Sequence, residues 1–187
     1  MPHRLLWRLA GGVVAVLAAL PMFGPPPAWG QGDSVEYGVK ATYLYKFLPF
    51  VSWSGGKQPG SYLLCVVGDD PFGLMLDRAV SGQTIEGRPI EVQRMALLRR
   101  DSGCHLVYAA GSAAQPVAAI LAELRGRPVL SVTDGARDSA SRGMVNFVIA
   151  GNRVRFEIDD AIVAEGGLSI SSKLLGLATF VRPRGGG

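Results

Sequence analysis

Residues 62–67 read YLLCVV, and the segment 68–71 (GDDP) follows them directly. A continuous apolar run of this length is typical of a β-strand that is covered on both faces, as in a parallel sheet. The glycine and first aspartate turn the chain, and Asp70 can then cap a helix that has Pro71 at its first position. We expect this helix to run to about Val80. A strand, a turn and a helix in this order are typical of an α/β fold.

The segments on either side extend this pattern. An apolar stripe at helical spacing predicts a helix over residues 36–48, and Pro49 should end it, because proline lacks the N–H that the next turn needs. Much further along the chain, strands are predicted at 145–149 and 153–158. The residues between them, 150–152 (AGN), predict a hairpin, because glycine and asparagine tolerate positive φ.

The remaining segments complete one domain. We predict further strands at 88–94, 104–109 and 128–132, a turn at 83–87, and helices at 115–125, from Asp159 or Asp160 to Gly166, and at 169–181. This order favours an α/β fold: a single-domain sandwich with a mostly parallel (mixed) sheet of about six strands and helices on both faces. Of the 187 residues 48% are apolar, and the 157 residues that follow position 30 suffice for one hydrophobic core.

Residues 1–30 have the pattern of a secretory signal peptide. Arg4 and Arg8 precede an uncharged run at 9–20, and small residues stand three positions and one position before a cleavage site after residue 30. A retained membrane anchor is the alternative, although a spanning helix needs about twenty apolar residues. We therefore predict that residues 1–30 are cleaved and that 31–187 form the exported domain.

The charge of the chain argues against nucleic acid as a partner. Cleavage removes Arg4 and Arg8 and no acidic residue, so the formal net charge falls from +4 to +2. The basic residues are scattered, and Arg99 and Arg100 are the only adjacent pair. A nucleic-acid-binding protein would instead cluster its cations on one surface.

No catalytic motif is recognisable in the sequence. His105 is the single histidine of residues 31–187, and at the beginning of an apolar strand it is more often structural than catalytic. Zinc sites need three or four ligands, and no cluster has that spacing. The segment 68–73 lacks the glycine pattern and the lysine of a phosphate-binding loop, and no serine-hydrolase motif occurs. We expect no enzymatic activity, no metal and no cofactor.

The two cysteines of the chain allow one disulfide. Cys65 lies in the first predicted strand of the sheet and Cys104 begins the third. In a flavodoxin-like strand order these two strands are neighbours, which can bring two Cα atoms within bridging distance. Exported proteins meet an oxidising environment, which favours the bridge. Two buried free thiols are the alternative that the residues leave open.

Several segments together resemble the YfiR family of periplasmic repressors of a membrane diguanylate cyclase. Their common order extends over nearly all of residues 31–187. The matching segments are 39–47 (VKATYLYKF) with Trp53, 65–73 (CVVGDDPFG), 86–90 (EGRPI), Cys104-His105, 143–147 (GMVNF), 153–158 (RVRFEI) and 168–175 (LSISSKLL).

This resemblance implies a non-enzymatic α/β protein of the Gram-negative periplasm. Such a protein binds the periplasmic sensor domain of the cyclase and holds the enzyme inactive, which lowers cyclic-di-GMP and biofilm formation. Redox stress or a small-molecule ligand would release it. The family's cysteine pair falls on Cys65 and Cys104, and a second bridge of some relatives has no counterpart here. We also expect a homodimer.

A periplasmic small-ligand sensor without a cyclase partner is the alternative function. Arg153, Arg155 and Lys173 are the candidate ligand-binding residues, because arginine pairs with carboxylate or phosphate through two hydrogen bonds. Arg153 and Arg155 share one face of a predicted strand, so one ligand could meet both, although a solvated strand face is the simpler explanation of this pair. For a protein partner, the aromatic first helix and the polar loop at 133–142 are the candidate contact surfaces.

Overall fold

The structure is a computed structural model that describes residues 31–53 and 60–185. The predicted leader lies outside these residues. The helices are α1 (Gln31–Phe47), α2 (Leu74–Val80), α3 (Val117–Leu124), α4 (Asp160–Glu165) and α5 (Ser172–Leu175). The strands are β1 (Val51–Trp53), β2 (Tyr62–Gly68), β3 (Thr84–Ile85), β4 (Arg88–Met95), β5 (Leu106–Gly111), β6 (Leu130–Asp134), β7 (Val145–Ala150), β8 (Arg153–Asp159), β9 (Leu168–Ile170) and β10 (Phe180–Arg182).

The predicted mostly parallel α/β sheet is confirmed. In the part of the chain that is described, the main sheet has eight strands rather than about six, in the order β10-β8-β7-β6-β5-β2-β4-β3. Strands β4, β2, β5, β6 and β7 are parallel, whereas β8 pairs antiparallel to β7. The chain passes from β2 to β4 on one side and then returns to β5 on the other. The winding of the sheet therefore reverses between β2 and β5, where α/β proteins open a crevice at the carboxyl ends of the strands.

Two predicted local features are confirmed. Helix α1 ends at Phe47, and Pro49 lies in the 3₁₀ turn (Leu48–Phe50) that follows it. The hairpin between β7 and β8 turns at Gly151 and Asn152, whose φ angles are 56° and 57°. Both turn residues therefore need the left-handed region that glycine and asparagine tolerate best.

The sheet separates two buried layers. On one face, α1 and α2 cover the larger core, where Phe47 lies 5.8 Å from Phe147 and 5.1 Å from Phe156 between ring centroids. On the other face, α3 packs Ile120 and Leu124 against β2 and β5. No helix connects β6 to β7, and the loop at 135–144 joins these two parallel strands instead.

The predicted final helix at 169–181 is wrong. This segment forms β9, the short helix α5 and β10. Strand β9 pairs with β1, and β10 pairs with the free edge of β8, where Val181 lies opposite Ile158. The helical periodicity is real over one turn only, because pairing with two strands distant in sequence outweighs local propensity.

The predicted start of the second helix is also wrong, because α2 begins at Leu74 and not at Pro71. The Asp70 side chain accepts the N–H of Phe72 at 2.8 Å and so forms a turn instead of a helix cap. Arg94 donates to Asp70 at 2.6 Å and to the carbonyl oxygen of Gly73 at 2.7 Å, which holds this turn in place. The predicted turn at 83–87 likewise contains the short strand β3.

A disulfide joins Cys65 in β2 to Cys104, which precedes β5. The two Cα atoms lie 5.9 Å apart, and the two residues are separated by 39 positions in the sequence. Both cysteines are buried beneath α3. The bridge therefore crosslinks two neighbouring strands on the face opposite α1.

Reduction of this disulfide should lower the free energy of unfolding by about 3–4 kcal/mol, because the open chain gains conformational entropy. Urea unfolding with and without reductant measures the difference. The double variant Cys65→Ala/Cys104→Ala is the control, since reductant should leave its stability unchanged. Equal stability of the oxidised and reduced wild type would contradict a stabilising bridge.

Candidate functional site

The carboxyl ends of β2 and β5 touch where the winding reverses. Gly68 has a φ of 98°, and a Cβ there would lie 2.2 Å from the carbonyl oxygen of Gly111, so only glycine fits. The N–H of Asp69 donates to the same oxygen at 2.9 Å. A cavity of about 530 Å³ opens beside this contact, lined partly by Asp69 and Ala110. Its volume is within the range of small-molecule sites.

Helix α1 forms one wall of this cavity and contributes a buried lysine. Lys40 is 1% exposed, and its ammonium pairs with Glu36, one turn earlier, and with Asp134 at the end of β6. The ammonium also lies 4.8 Å from the centroid of the Tyr37 ring. These contacts attach the first helix to the carboxyl edge of the sheet.

The surroundings of the cavity raise the pKa of Lys40 and the pKa of Tyr108, so both groups hold their protons. Burial by itself lowers the pKa of Lys40, but hydrogen bonds and charges from Asp134 and Glu36 outweigh it and hold the pKa above its ordinary value. Burial, followed by the charge of Asp134, raises the pKa of Tyr108. The Tyr108 hydroxyl donates to Asp134 at 3.3 Å. The cavity thus keeps a charged ammonium and a neutral phenol.

The loop after β6 forms the opposite wall and is held by Asn146. The side-chain oxygen of Asn146 accepts the hydroxyl of Thr133 at 3.0 Å and the N–H of Ala136 at 3.1 Å. Its amide donates to the carbonyl oxygen of Ala136 at 3.2 Å. In return, Thr133 accepts the N–H of Gly143 at 3.0 Å. The segment predicted as an exposed loop therefore begins inside the sheet, and its first residues are fixed.

His105 lies at the opposite ends of the strands from the cavity, directly before β5. Its Nδ1 accepts the N–H of Leu63 at 3.0 Å, which requires a neutral imidazole. The ring packs edge-on against Trp53 and Tyr62. Burial lowers the pKa of His105. These contacts support the structural interpretation of this histidine.

The arrangement around the cavity is suited to binding. Neither cysteine nor histidine lines it, and its charged side chains are those of Glu36, Lys40, Asp69 and Asp134. Within residues 31–53 and 60–185, no three His, Cys, Asp or Glu side chains are placed to hold a metal ion. In the same residues, no helix is long and apolar enough to cross a membrane.

The three candidate ligand-binding residues, Arg153, Arg155 and Lys173, lie on two different elements, β8 and α5. Arg153 and Arg155 lie on the face of β8 opposite Phe156, which packs into the core beneath α1. Lys173 is exposed on α5, whose Leu174 enters that same core. The two arginines share a face as predicted from the strand, but Lys173 belongs to the other side of the sheet.

A family model described as YfiR/HmsC-like matches residues 37–179. The chain belongs to the YfiR/HmsC-like family. The match confirms the resemblance expected from the sequence, and it includes the disulfide cysteines together with Lys40 and Asp134. It leaves out the first residues of α1, and with them Glu36.

Sequence reasoning missed Lys40, although the signal is present. Lys40 stands three residues after Tyr37 and four before Leu44, so a helix places it on the apolar stripe. A charged residue on that stripe indicates a buried ion pair. Its partner Asp134 is 94 residues away, and nothing local in the sequence points to it.

Substituting Lys40 with methionine should lower the free energy of unfolding by about 2–3 kcal/mol, because it keeps the bulk but leaves two carboxylates without their cation. Lys46→Met is the matched control, since Lys46 is exposed on the same helix. The control should stay within about 0.5 kcal/mol of wild type. Urea unfolding measures both, and equal effects would contradict the buried pair.

His105 should make the protein less stable in mild acid. Its folded pKa is depressed, so the unfolded chain takes up the proton first. Stability is therefore complete above the ordinary pKa of about 6.5 and decreases as the pH falls towards the folded value. His105→Asn keeps an acceptor for Leu63 without titrating. Unfolding curves between neutral and mildly acidic pH should diverge for the two proteins, and parallel curves would contradict this.

Proposed function

We propose that this protein is a periplasmic regulator that binds the sensor domain of an inner-membrane diguanylate cyclase and represses the enzyme. Membership of the YfiR/HmsC-like family carries the proposal. The secretory pattern of residues 1–30 supports the periplasmic location. A cavity suited to binding is consistent with a regulator that has no chemistry of its own.

Repression would work through a shift between two states of this protein. One state binds the cyclase sensor domain, and a signal that favours the other state releases it. To shift the equilibrium, the signalling molecule must bind one of these two states more tightly than the other. A small molecule in the cavity could act as this signal, because it would contact three separate segments at once: α1, the turn after β2 and the loop after β6.

The outer face of α1 is the surface that we assign to the cyclase. Val35 and Val39 are 68% and 40% exposed, one helical turn apart, and they line a shallow depression with Tyr43 and Lys46. The aromatic residues of this helix contribute less than the sequence suggested, because Phe47 is buried. An apolar exposed stripe on a helix suits a protein partner.

Affinity purification tests the proposal. The tagged protein should capture a membrane diguanylate cyclase, and deletion of its gene should raise cellular cyclic-di-GMP. Val35→Glu/Val39→Glu should lose the capture, whereas Leu97→Glu should retain it, because Leu97 is an apolar side chain outside α1 whose exposure lies between those of the two valines. Sedimentation of the purified protein checks the homodimer that belongs to the same proposal. Absence of any captured cyclase, with unchanged cyclic-di-GMP, would overturn the repressor function.

A small-ligand sensor without a cyclase partner is the second candidate. The cavity at the carboxyl edge of the sheet favours it, because α/β proteins bind their ligands at this position. It predicts binding of a small molecule by a protein that captures no cyclase. The cavity takes the place of the separated cations as the candidate ligand site.

A further inference from the structure

A second pocket, of about 230 Å³, lies where the loop at 135–144 meets β8 and β10. Glu157 of β8 lines it and lies on the face of the strand opposite Phe156, whose ring is buried in the core under α1. The pocket is therefore separate from the cavity that α1 lines. We call it the arginine pocket after three of its lining residues, Arg137, Arg142 and Arg182.

The charges of the arginine pocket leave one cation without a counter-ion. Arg142 pairs with Glu157 at 3.2 Å, and Arg182 pairs with Asp159 at 3.0 Å. These two carboxylates are the only ones among the lining residues, which include no lysine or histidine. Within the described residues, Arg137 has neither a hydrogen-bond nor an ion-pair partner. The pocket thus has a net positive charge, and the guanidinium of Arg137 is available to a ligand.

Two buried polar atoms in the same wall are a second, independent observation. The Nε of Arg142 and the Oε2 of Glu157 are both buried, and neither has a hydrogen-bond partner in the part of the chain that is described. Native proteins satisfy nearly all of their buried polar groups, and a bound ligand is one way to do so. The Nε–H of Arg142 is a donor, so the partner that it needs is an acceptor. An anion supplies one.

The loop that presents these arginines is held by hydrogen bonds. Asn146 binds both the N–H and the carbonyl oxygen of Ala136, directly before Arg137. Arg142 donates from Nη2 to the carbonyl oxygen of Ala136 at 3.2 Å, which joins the two ends of the loop. A ligand in the arginine pocket would therefore order little additional backbone, which lowers the free-energy cost of binding.

We propose that the arginine pocket binds a small organic carboxylate. Arg137 holds the carboxylate through two hydrogen bonds, the geometry in which a guanidinium pairs best with this group. The Ser139 hydroxyl and the Nε–H of Arg142 donate to the same oxygens. Phe180, whose side chain is 53% exposed beside these groups, contacts the apolar part of the ligand.

The charge and the size of the pocket favour a carboxylate over a phosphate ester. One guanidinium lacks a counter-ion, which matches the single charge of a carboxylate, whereas a phosphate monoester carries about −1.5 to −2 at neutral pH. The volume of about 230 Å³ is below that of sites for drug-sized molecules, roughly 300–1,000 Å³. The ligand is therefore a compound with few heavy atoms, of the size of benzoate.

Calorimetry with the purified protein tests the proposal. The probes are benzoate, its uncharged analogue benzamide, and inorganic phosphate. Benzoate should bind and raise the melting temperature, and the other two should bind at least tenfold more weakly. Arg137→Gln should weaken benzoate binding about tenfold, the loss expected for a charge-assisted pair of hydrogen bonds. Arg78→Gln is the matched control, since Arg78 is an exposed arginine on α2, and it should bind benzoate as wild type does.

Four outcomes would overturn the proposal: no binding of benzoate, equal binding of benzamide, tighter binding of phosphate, or benzoate binding that Arg137→Gln leaves unchanged. The last of these would place benzoate elsewhere, for example in the cavity beside α1. Arg137 is exposed and makes no side-chain contact that folding depends on, so the variant should fold. Its melting temperature without ligand verifies this. Because cyclase capture plays no part here, failure of this experiment leaves the repressor proposal standing.

Discussion

The ion pair between Lys40 and Asp134 connects the first helix to the carboxyl edge of the sheet. A buried ammonium is costly unless it is paired, so this contact restricts where α1 can lie. The position of α1 in turn places Phe47 over the core, and it delivers β1 to pair with β9. The cavity lies between α1, the turn after β2 and the loop after β6. The pair of Lys40 and Asp134 joins the first of these walls to the end of β6, where the third begins.

The amino ends and the carboxyl ends of the central strands β2 and β5 differ in their contacts. At the amino side of β5, the disulfide and the contacts of His105 join this strand to β2. At the carboxyl side, Gly68 and Gly111 touch and the cavity opens beside them. The disulfide runs from the middle of β2 to the residue pair that precedes β5, on the face covered by α3, so it stabilises the two strands without entering the cavity at their carboxyl ends. Binding can therefore alter the cavity walls while β2 and β5 stay together.

Much of the fold was predictable from local pattern. The apolar run of β2, the proline that ends α1 and the turn at Gly151 each act within a few residues, and each was predicted correctly. The segment that forms β9, α5 and β10 was not, because its structure depends on strands far away in sequence. Asp70 illustrates the same limit at a turn, since Arg94 in β4 helps to decide what its carboxylate binds. The site was harder still to predict from the sequence, because Lys40 and Asp134 are far apart in the chain and meet only in the folded sheet.

The account rests on direct coupling between Lys40 and Asp134, and a double-mutant cycle measures it. The single variants Lys40→Met and Asp134→Leu and the double variant are unfolded in urea with wild type. If the ammonium and the carboxylate stabilise each other, the double variant will lose less unfolding free energy than the two single variants lose together. The expected difference is about 1–3 kcal/mol. Additive losses, with a coupling free energy of zero within error, would contradict the role given to this ion pair.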